Sequence, residues 1–63
     1  MTNKQKLEKA KKDYSKGTKF ISVTSKTNHT SKEYFEITPL GFVFESGACI
    51  YSVTQNKWAE IVK

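Results

Sequence analysis

Gly17 divides this chain into two parts that favour different secondary structure. Residues 3–15 contain no glycine, no proline and no β-branched side chain, a composition typical of a helix. Thr2 and Gln5 have the spacing of a capping box at its start, and Gly17 supplies the left-handed residue that commonly ends a helix. A narrow apolar stripe runs along one face and consists of Leu7, Ala10 and Tyr14. We therefore predict a basic helix within residues 1–16.

The segment after Gly17 consists of short β-rich runs separated by turn residues. The polar residues 25–32 are predicted to form a loop. The predicted strands are residues 18–24, 33–38, 42–45, 49–54 and 58–62. Short connections favour an antiparallel meander or a small closed barrel, because closure hides strand edges. The sequence thus predicts a single α+β domain over residues 1–63, in which about five antiparallel strands (residues 18–63) form a curled meander or a small Src-homology-3-like barrel.

A chain of 63 residues buries only a modest core and is marginally stable without assistance. Cys49 is the only cysteine, so it cannot form an intrachain disulfide. Together with His29 it supplies two of the four ligands that a structural zinc site needs. We expect no metal and no cofactor, and self-association remains open as a source of stability.

The lysine-rich N-terminus is not followed by an apolar segment, so we predict no secretory signal. No apolar run approaches the length needed to span a bilayer. We therefore expect a cytoplasmic protein that has no membrane partner.

Positive charge is concentrated in the first half of the chain. Residues 1–32 carry nine lysines and two acidic residues, a net charge of +7, whereas residues 33–63 have a net charge of −2. Such an uneven charge attracts anionic partners. The residues predicted to act electrostatically are Lys4, Lys6, Lys9, Lys11, Lys12, Lys16 and Lys19. Three explanations of these lysines remain open: a solvated helix surface, attraction of nucleic-acid or nucleotide phosphates, and contact with another acidic partner.

All eleven basic residues are lysines. Arginine is the usual bidentate reader of guanine and the planar clamp for phosphate. Its absence argues against sequence-specific DNA recognition and leaves loose backbone binding open. An AT-rich genome explains the preference for lysine equally well.

Alternation along the strands predicts which side chains face inward. The inward set is Ile21, Val23, Phe35, Ile37, Tyr51, Val53, Ala59 and Ile61. The third strand is ambiguous, because either Val43 or the pair Phe42 and Phe44 can face the core. The predicted outward aromatic residues are Phe20, Tyr34 and Trp58.

These three outward aromatic residues have two interpretations. In the first, the helix folds back over them and builds a second small core with Leu7, Ala10 and Tyr14, since a sheet usually covers both apolar faces. In the second, the exposed rings bind a partner protein or stack on bases. Trp58 is the strongest candidate for a contact residue, because tryptophan is enriched among binding hot spots.

The sequence contains no recognisable catalytic arrangement. His29 lies in a polar loop without a nucleophile or an orienting carboxylate at a recognisable spacing. Cys49 is predicted to be a small apolar strand residue. The three glycines are isolated turn residues and do not form a phosphate-binding loop. We therefore predict that the protein is not an enzyme.

Two segments, Tyr-Ser-Lys-Gly-Thr-Lys-Phe (residues 14–20) and Lys-Trp-Ala-Glu-Ile (residues 57–61), carry a resemblance to known sequences. The chain resembles small uncharacterised bacteriophage and bacterial proteins whose β portion begins with Gly-Thr-Lys-Phe and closes with a Trp-Ala-Glu-Ile strand. The resemblance implies a small β-rich accessory protein, encoded by a phage, that binds a host factor, a defence complex or a signalling nucleotide. It assigns no functional residue.

These observations together predict a small non-enzymatic binding protein. The first hypothesis is an adaptor or inhibitor of a host protein or defence factor. The alternative is a nucleic-acid or nucleotide-binding β module that uses the N-terminal lysines for attraction and the outward aromatic residues for stacking.

Overall fold

A computed structural model describes the whole chain, Met1–Lys63, as one helix and seven short strands. Helix α1 covers Asn3–Asp13. The strands are β1 (Lys19–Ile21), β2 (Asn28–Thr30), β3 (Phe35–Ile37), β4 (Val43–Glu45), β5 (Ala48–Ser52), β6 (Lys57–Trp58) and β7 (Glu60–Ile61). The predicted α+β class, with an N-terminal helix before antiparallel strands, is confirmed.

Helix α1 begins where the capping box predicts. The Gln5 amide donates to the Thr2 hydroxyl at 3.1 Å, and the Thr2 amide donates to Gln5 Oε1 at 2.9 Å. The helix ends at Asp13, within the predicted residues 1–16 and four residues before Gly17. Gly17 has a positive φ of 92°, but it lies in the turn that follows, where its amide donates to the carbonyl of Ser31 at 2.9 Å. Gly17 thus starts the first hairpin and is not the helix cap.

The strands form two antiparallel sheets, with the orders β2-β1-β7 and β3-β4-β5-β6, and no single closed barrel. Two backbone hydrogen bonds connect the sheets: the Val23 amide donates to the Cys49 carbonyl at 3.0 Å, and the Ala59 amide donates to the Ile50 carbonyl at 2.8 Å. Ala59 separates β6 from β7, so the last strand pairs first with β5 and then with β1. A strand that changes sheets at a bend forms the corner of the fold.

Strand β2 lies inside the segment that the sequence predicts to be a loop. It contains Asn28, His29 and Thr30 and pairs with β1 in antiparallel register. The strand lies at the edge of its sheet, where pairing on one side suffices and no apolar alternation is required. This is the reason why the hydrophobic pattern did not indicate it.

The core contains side chains from the helix and from both sheets. Its buried hydrophobic residues are Ala10, Tyr14, Phe20, Val23, Val43, Ala48, Cys49, Ile50, Tyr51 and Ala59. Val43 is the buried hydrophobic residue of β4, and both Phe42 and Phe44 are half-buried, which resolves the ambiguity in that strand.

The predicted inward or outward orientation is correct for most of these strand side chains and wrong for three of them. Val23, Tyr51 and Ala59 are buried, and Phe35 and Ile37 pack against the core. Ile61 is 43% exposed and Val53 is 37% exposed, although both were predicted to face inward. Phe20 is fully buried, although it was predicted to face outward. The reason is that the rings of Tyr14 and His29 lie against Phe20, with centroid distances of 5.6 and 5.8 Å.

Candidate functional site

Tyr14 covers two of the aromatic residues that the sequence placed on the outer surface. Its ring stacks on Trp58 with a centroid distance of 6.3 Å and an interplanar angle of 16°. It also forms a T-shaped pair with the ring of Phe20, with a centroid distance of 5.6 Å. Its hydroxyl donates a hydrogen bond to the carbonyl of Ala59. Tyr14, one of the three residues predicted to cover this face, thus contacts both Phe20 and Trp58, and with Ala10 it belongs to the single core cluster that contains Phe20 and not to a second core.

The three predicted contact residues do not form one patch. Phe20 is buried, with the ring of His29 stacked on it at 5.8 Å, so it is not accessible to a partner. Trp58 is half-buried in β6, against Tyr51 at 4.7 Å. Tyr34 is 69% exposed and precedes β3, at the opposite edge of the four-stranded sheet from β6. Trp58 is thus the predicted residue that stays near the sheet corner with part of its ring open to solvent.

Two of the predicted electrostatic lysines contribute to the packing of the helix. Lys6 Nζ lies 4.8 Å from the centroid of the Tyr51 ring and 3.5 Å from the carbonyl oxygen of Gly41. Lys9 Nζ lies 5.2 Å from the centroid of Trp58 and forms an ion pair with Asp13. A lysine ammonium over an aromatic face is attracted by the negative charge of the ring's π face. Lys6 and Lys9 therefore stabilise the contact between helix and sheet.

The remaining lysines project into solvent without carboxylate partners. The pair between Lys9 and Asp13 is the one salt bridge of the chain. The acidic residues of the sheets do not neutralise the helix, since Glu33, Glu36 and Glu60 are exposed and unpaired. The nine exposed lysines are Lys4, Lys11, Lys12, Lys16, Lys19, Lys26, Lys32, Lys57 and Lys63. Their charge is thus available to an anionic partner.

An open groove beside Trp58 is the first of two concave sites on the surface. It has a volume of about 290 Å³ and is called the Trp58 groove below. Its lining consists of Ile21, Ser22, Val23, Lys26, Lys57, Trp58, Ala59 and Glu60. Two exposed lysines, one aromatic side chain and one carboxylate therefore line the same groove.

Sequence reasoning missed Lys26 and Lys57 as site residues. Both lie in stretches that the sequence indicates to be loop or turn, away from the lysine-rich N-terminus. Lys26 lies in the turn after β1, where it adopts a positive φ of 60°, and Lys57 begins β6. The corner at Ala59 brings these two segments to one groove, a relationship that no local pattern encodes.

A second open groove of about 370 Å³ lies along β1, β2 and the C-terminus and is called the Lys19 groove. Its lining consists of Lys19, Asn28, His29, Thr30 and Val62. His29 Nε2 shares a hydrogen bond with the Thr27 hydroxyl at 2.7 Å. The groove therefore offers one cation and several neutral hydrogen-bonding groups.

Glu45 is buried for a structural reason. Its Oε2 atom accepts hydrogen bonds from the amides of Lys32 (2.8 Å) and Tyr34 (3.3 Å) and from the Ser46 hydroxyl (2.6 Å). A buried carboxylate is tolerable when such donors replace its water. Glu45 thus fixes the loop that leads into β3, and it lies in neither groove.

Cys49 is buried in β5, and its thiol donates to the Tyr51 carbonyl at 3.3 Å. Burial raises the pKa of the Cys49 thiol. A thiol with a raised pKa is a poor nucleophile, because the thiolate is the reactive form. No group of three or more His, Cys, Asp or Glu side chains gathers in a way that could hold a metal ion.

Comparison of the chain with protein-family models, curated proteins and solved structures finds no match. The resemblance of residues 14–20 and 57–61 to phage proteins therefore stays a prediction. The structure has no helix with the length and apolar character that crossing a membrane requires.

Proposed function

We propose that this chain is a non-enzymatic binding protein that holds single-stranded nucleic acid in the Trp58 groove. The observation that carries the proposal is that the half-buried Trp58 and two exposed lysines, Lys26 and Lys57, line one groove. Proteins that bind single strands without strong sequence preference combine a positively charged groove with an aromatic ring on which a base stacks. Such stacking contributes about 1–3 kcal/mol per base.

The charge of the molecule supports an anionic partner over a neutral one. The net charge is +5, and nine of the eleven lysines are exposed without a carboxylate partner. A domain whose lysines were paired with its own carboxylates would attract an anionic ligand less strongly. Because the basic residues are lysines, we expect contacts to the phosphate backbone and little reading of duplex sequence.

The test uses the fluorescence of Trp58, the single tryptophan of the chain. Titration at low salt with a mixed-sequence strand of about 10 nucleotides, a length within the range of small single-strand sites, is expected to quench this fluorescence. The affinity should fall steeply with salt, because phosphate contacts release counterions. The double variant Lys26→Gln with Lys57→Gln should lower the slope of log affinity against log salt by about 1.4, and Lys4→Gln should leave it nearly unchanged.

Absence of binding to single strands at low salt would overturn this proposal. Equal binding of single strands and duplex DNA would also contradict it, because base stacking on Trp58 requires an unpaired base. These lysine variants are preferable to Trp58→Ala, since Trp58 packs against both Tyr14 and Tyr51 and its truncation would disturb the fold.

A second candidate function is that of an adaptor or inhibitor of a host protein, as the resemblance to phage proteins implies. The observation in its favour is the exposure of two large apolar side chains, Tyr34 at 69% and Leu40 at 77%. Aromatic and large apolar side chains are frequent anchors of protein interfaces. In this case, one defined host protein should be retained by the wild-type chain and lost with Tyr34→Ser, whereas Lys57→Gln should retain it. Retention of the same protein by Tyr34→Ser would count against this function.

A further inference from the structure

We infer that the Trp58 groove and the Lys19 groove are one continuous surface for a nucleic-acid strand, and that Glu60 makes it prefer guanine over thymine. The inference rests on the proposed function and names the ligand of the same site more closely. It is carried by the strand register, by the order of charges along the surface and by the chemistry of the bases.

The strand register makes the two grooves continuous. Ile21 and Glu60, which line the Trp58 groove, are direct partners in the pairing of β1 with β7. Lys19 and Val62, which line the Lys19 groove, are the next pair on the same face, since the Val62 amide donates to the Lys19 carbonyl at 2.8 Å. Residues two apart on a strand share a face. No other residue pair on that face separates the two grooves.

The combined surface is long enough for several nucleotides. It follows the chain from Lys57 to Val62 around the corner at Ala59, five residue steps with a contour length of at most about 16 Å at a strand rise of ~3.3 Å per residue. A strand with a stacked spacing of ~3.4 Å would place about five nucleotides over this length, and an extended strand would place fewer. A strand of this length would reach lysines at both ends of the surface.

The order of charges along this surface is positive, negative, positive. Lys57 precedes Glu60 along the chain, Lys19 lies opposite Val62 on the other side of Glu60, and Lys26 lines the same groove as Lys57 and Glu60. Glu60 is exposed and has no salt-bridge partner, so its carboxylate is free to accept hydrogen bonds. An acidic peptide would bring a like charge to Glu60, whereas a nucleic-acid strand can present neutral bases to it while its phosphates reach the lysines.

The bases differ in what they offer to a carboxylate. Unpaired bases are recognised by hydrogen bonds on their Watson–Crick edges. Guanine presents two adjacent donors there, N1–H and N2–H, which a carboxylate can accept together. Thymine presents a single N3–H between two carbonyl oxygens that repel a carboxylate. Glu60 therefore favours guanine and disfavours thymine.

The preference is tested with two strands of equal length, one of thymine only and one with isolated guanines in a thymine background. We expect the guanine-containing strand to bind the wild-type chain at least about fivefold more tightly, the lower end of what a bidentate pair contributes. Glu60→Gln should have two opposite effects: tighter binding of the all-thymine strand, because a negative charge is removed, and loss of the guanine preference.

The continuity of the surface is tested with strands of two lengths. Lys19→Gln should weaken a strand of about six nucleotides severalfold and leave a dinucleotide unaffected, while Lys4→Gln, which lines neither groove, should affect neither. Binding with equal affinity for the two base compositions, or equal effects of Lys19→Gln at both lengths, would overturn this inference and leave the proposed function standing. Displacement of the strand by a polyglutamate peptide at equal charge concentration would also overturn it. Absence of binding to any strand would overturn both.

Discussion

The hydroxyl of Tyr14, one residue beyond the end of helix α1, donates a hydrogen bond to the carbonyl of Ala59, the residue at which the last strand changes sheets. The same tyrosine ring stacks on Trp58, the residue before Ala59. One side chain thus connects the helix to the corner of the fold and fixes the inner side of the Trp58 groove. The position of Trp58, which the proposed function requires, depends on this contact.

Replacement of Tyr14 by phenylalanine should lower the free energy of unfolding by about 1–2 kcal/mol, because the Ala59 carbonyl loses a buried donor while the ring packing remains. Urea denaturation followed by Trp58 fluorescence measures this change. Tyr34→Phe is the matched control, since Tyr34 is 69% exposed and its hydroxyl forms no hydrogen bond within the chain. Equal effects of the two substitutions would contradict a structural role of the Tyr14 hydroxyl.

The same contact predicts a loss of stability in alkaline solution. Burial, with a smaller contribution from the neighbouring Asp13 charge, raises the pKa of Tyr14 from 10.0 to about 12. The folded state therefore retains this proton when the unfolded state has lost it, so the stabilisation is complete below pH 10 and declines as pH rises through about 12. The difference in unfolding free energy between the wild-type chain and Tyr14→Phe should narrow between pH 9 and pH 12. A constant difference over this range would contradict the prediction.

The buried carboxylate of Glu45 predicts a local effect on the loop before β3. In Glu45→Gln an amide group replaces one carboxylate oxygen, so the donors from Lys32, Tyr34 and Ser46 lose charge-assisted bonds. We expect a loss of about 1–3 kcal/mol of unfolding free energy and faster hydrogen exchange at the Lys32 and Tyr34 amides. Glu36→Gln, an exposed substitution in the adjacent strand β3, is the control and should remain within about 0.5 kcal/mol of the wild-type value. Unchanged exchange at both amides in Glu45→Gln would refute the assigned role.

The elements that local signals determine could be predicted from the sequence. The capping box fixes the start of α1, and turn glycines together with β-rich runs indicate the strands of the four-stranded sheet. Strand β2 could not be predicted, because its polar residues Asn28–Thr30 are strand only by virtue of pairing with β1.

The burial of Phe20 depends on Tyr14 folding over it, a contact between segments that alternation within one strand does not encode. The candidate site likewise depends on contacts between segments that are distant in the sequence. Trp58 was identifiable from its residue type, whereas Lys26 and Lys57 join it only through the corner at Ala59. The lysine-rich composition of the N-terminal segment also predicted that Lys6 and Lys9 attract a partner, but their ammonium groups lie over aromatic rings of the same domain.

The division of lysines into structural and binding groups leads to opposite expectations for Lys9 and Lys57. Lys9→Gln removes a cation from the Trp58 ring and breaks the ion pair with Asp13, so unfolding free energy should fall by about 0.5–1 kcal/mol. Lys57→Gln changes an exposed side chain and should stay within about 0.5 kcal/mol of the wild-type stability. In oligonucleotide titrations Lys57→Gln should weaken strand binding more than Lys9→Gln, because Lys57 lines the Trp58 groove and Lys9 does not. If Lys9→Gln weakened strand binding as much as Lys57→Gln at equal stability of the folded state, the helix surface and not the groove would be the site of binding.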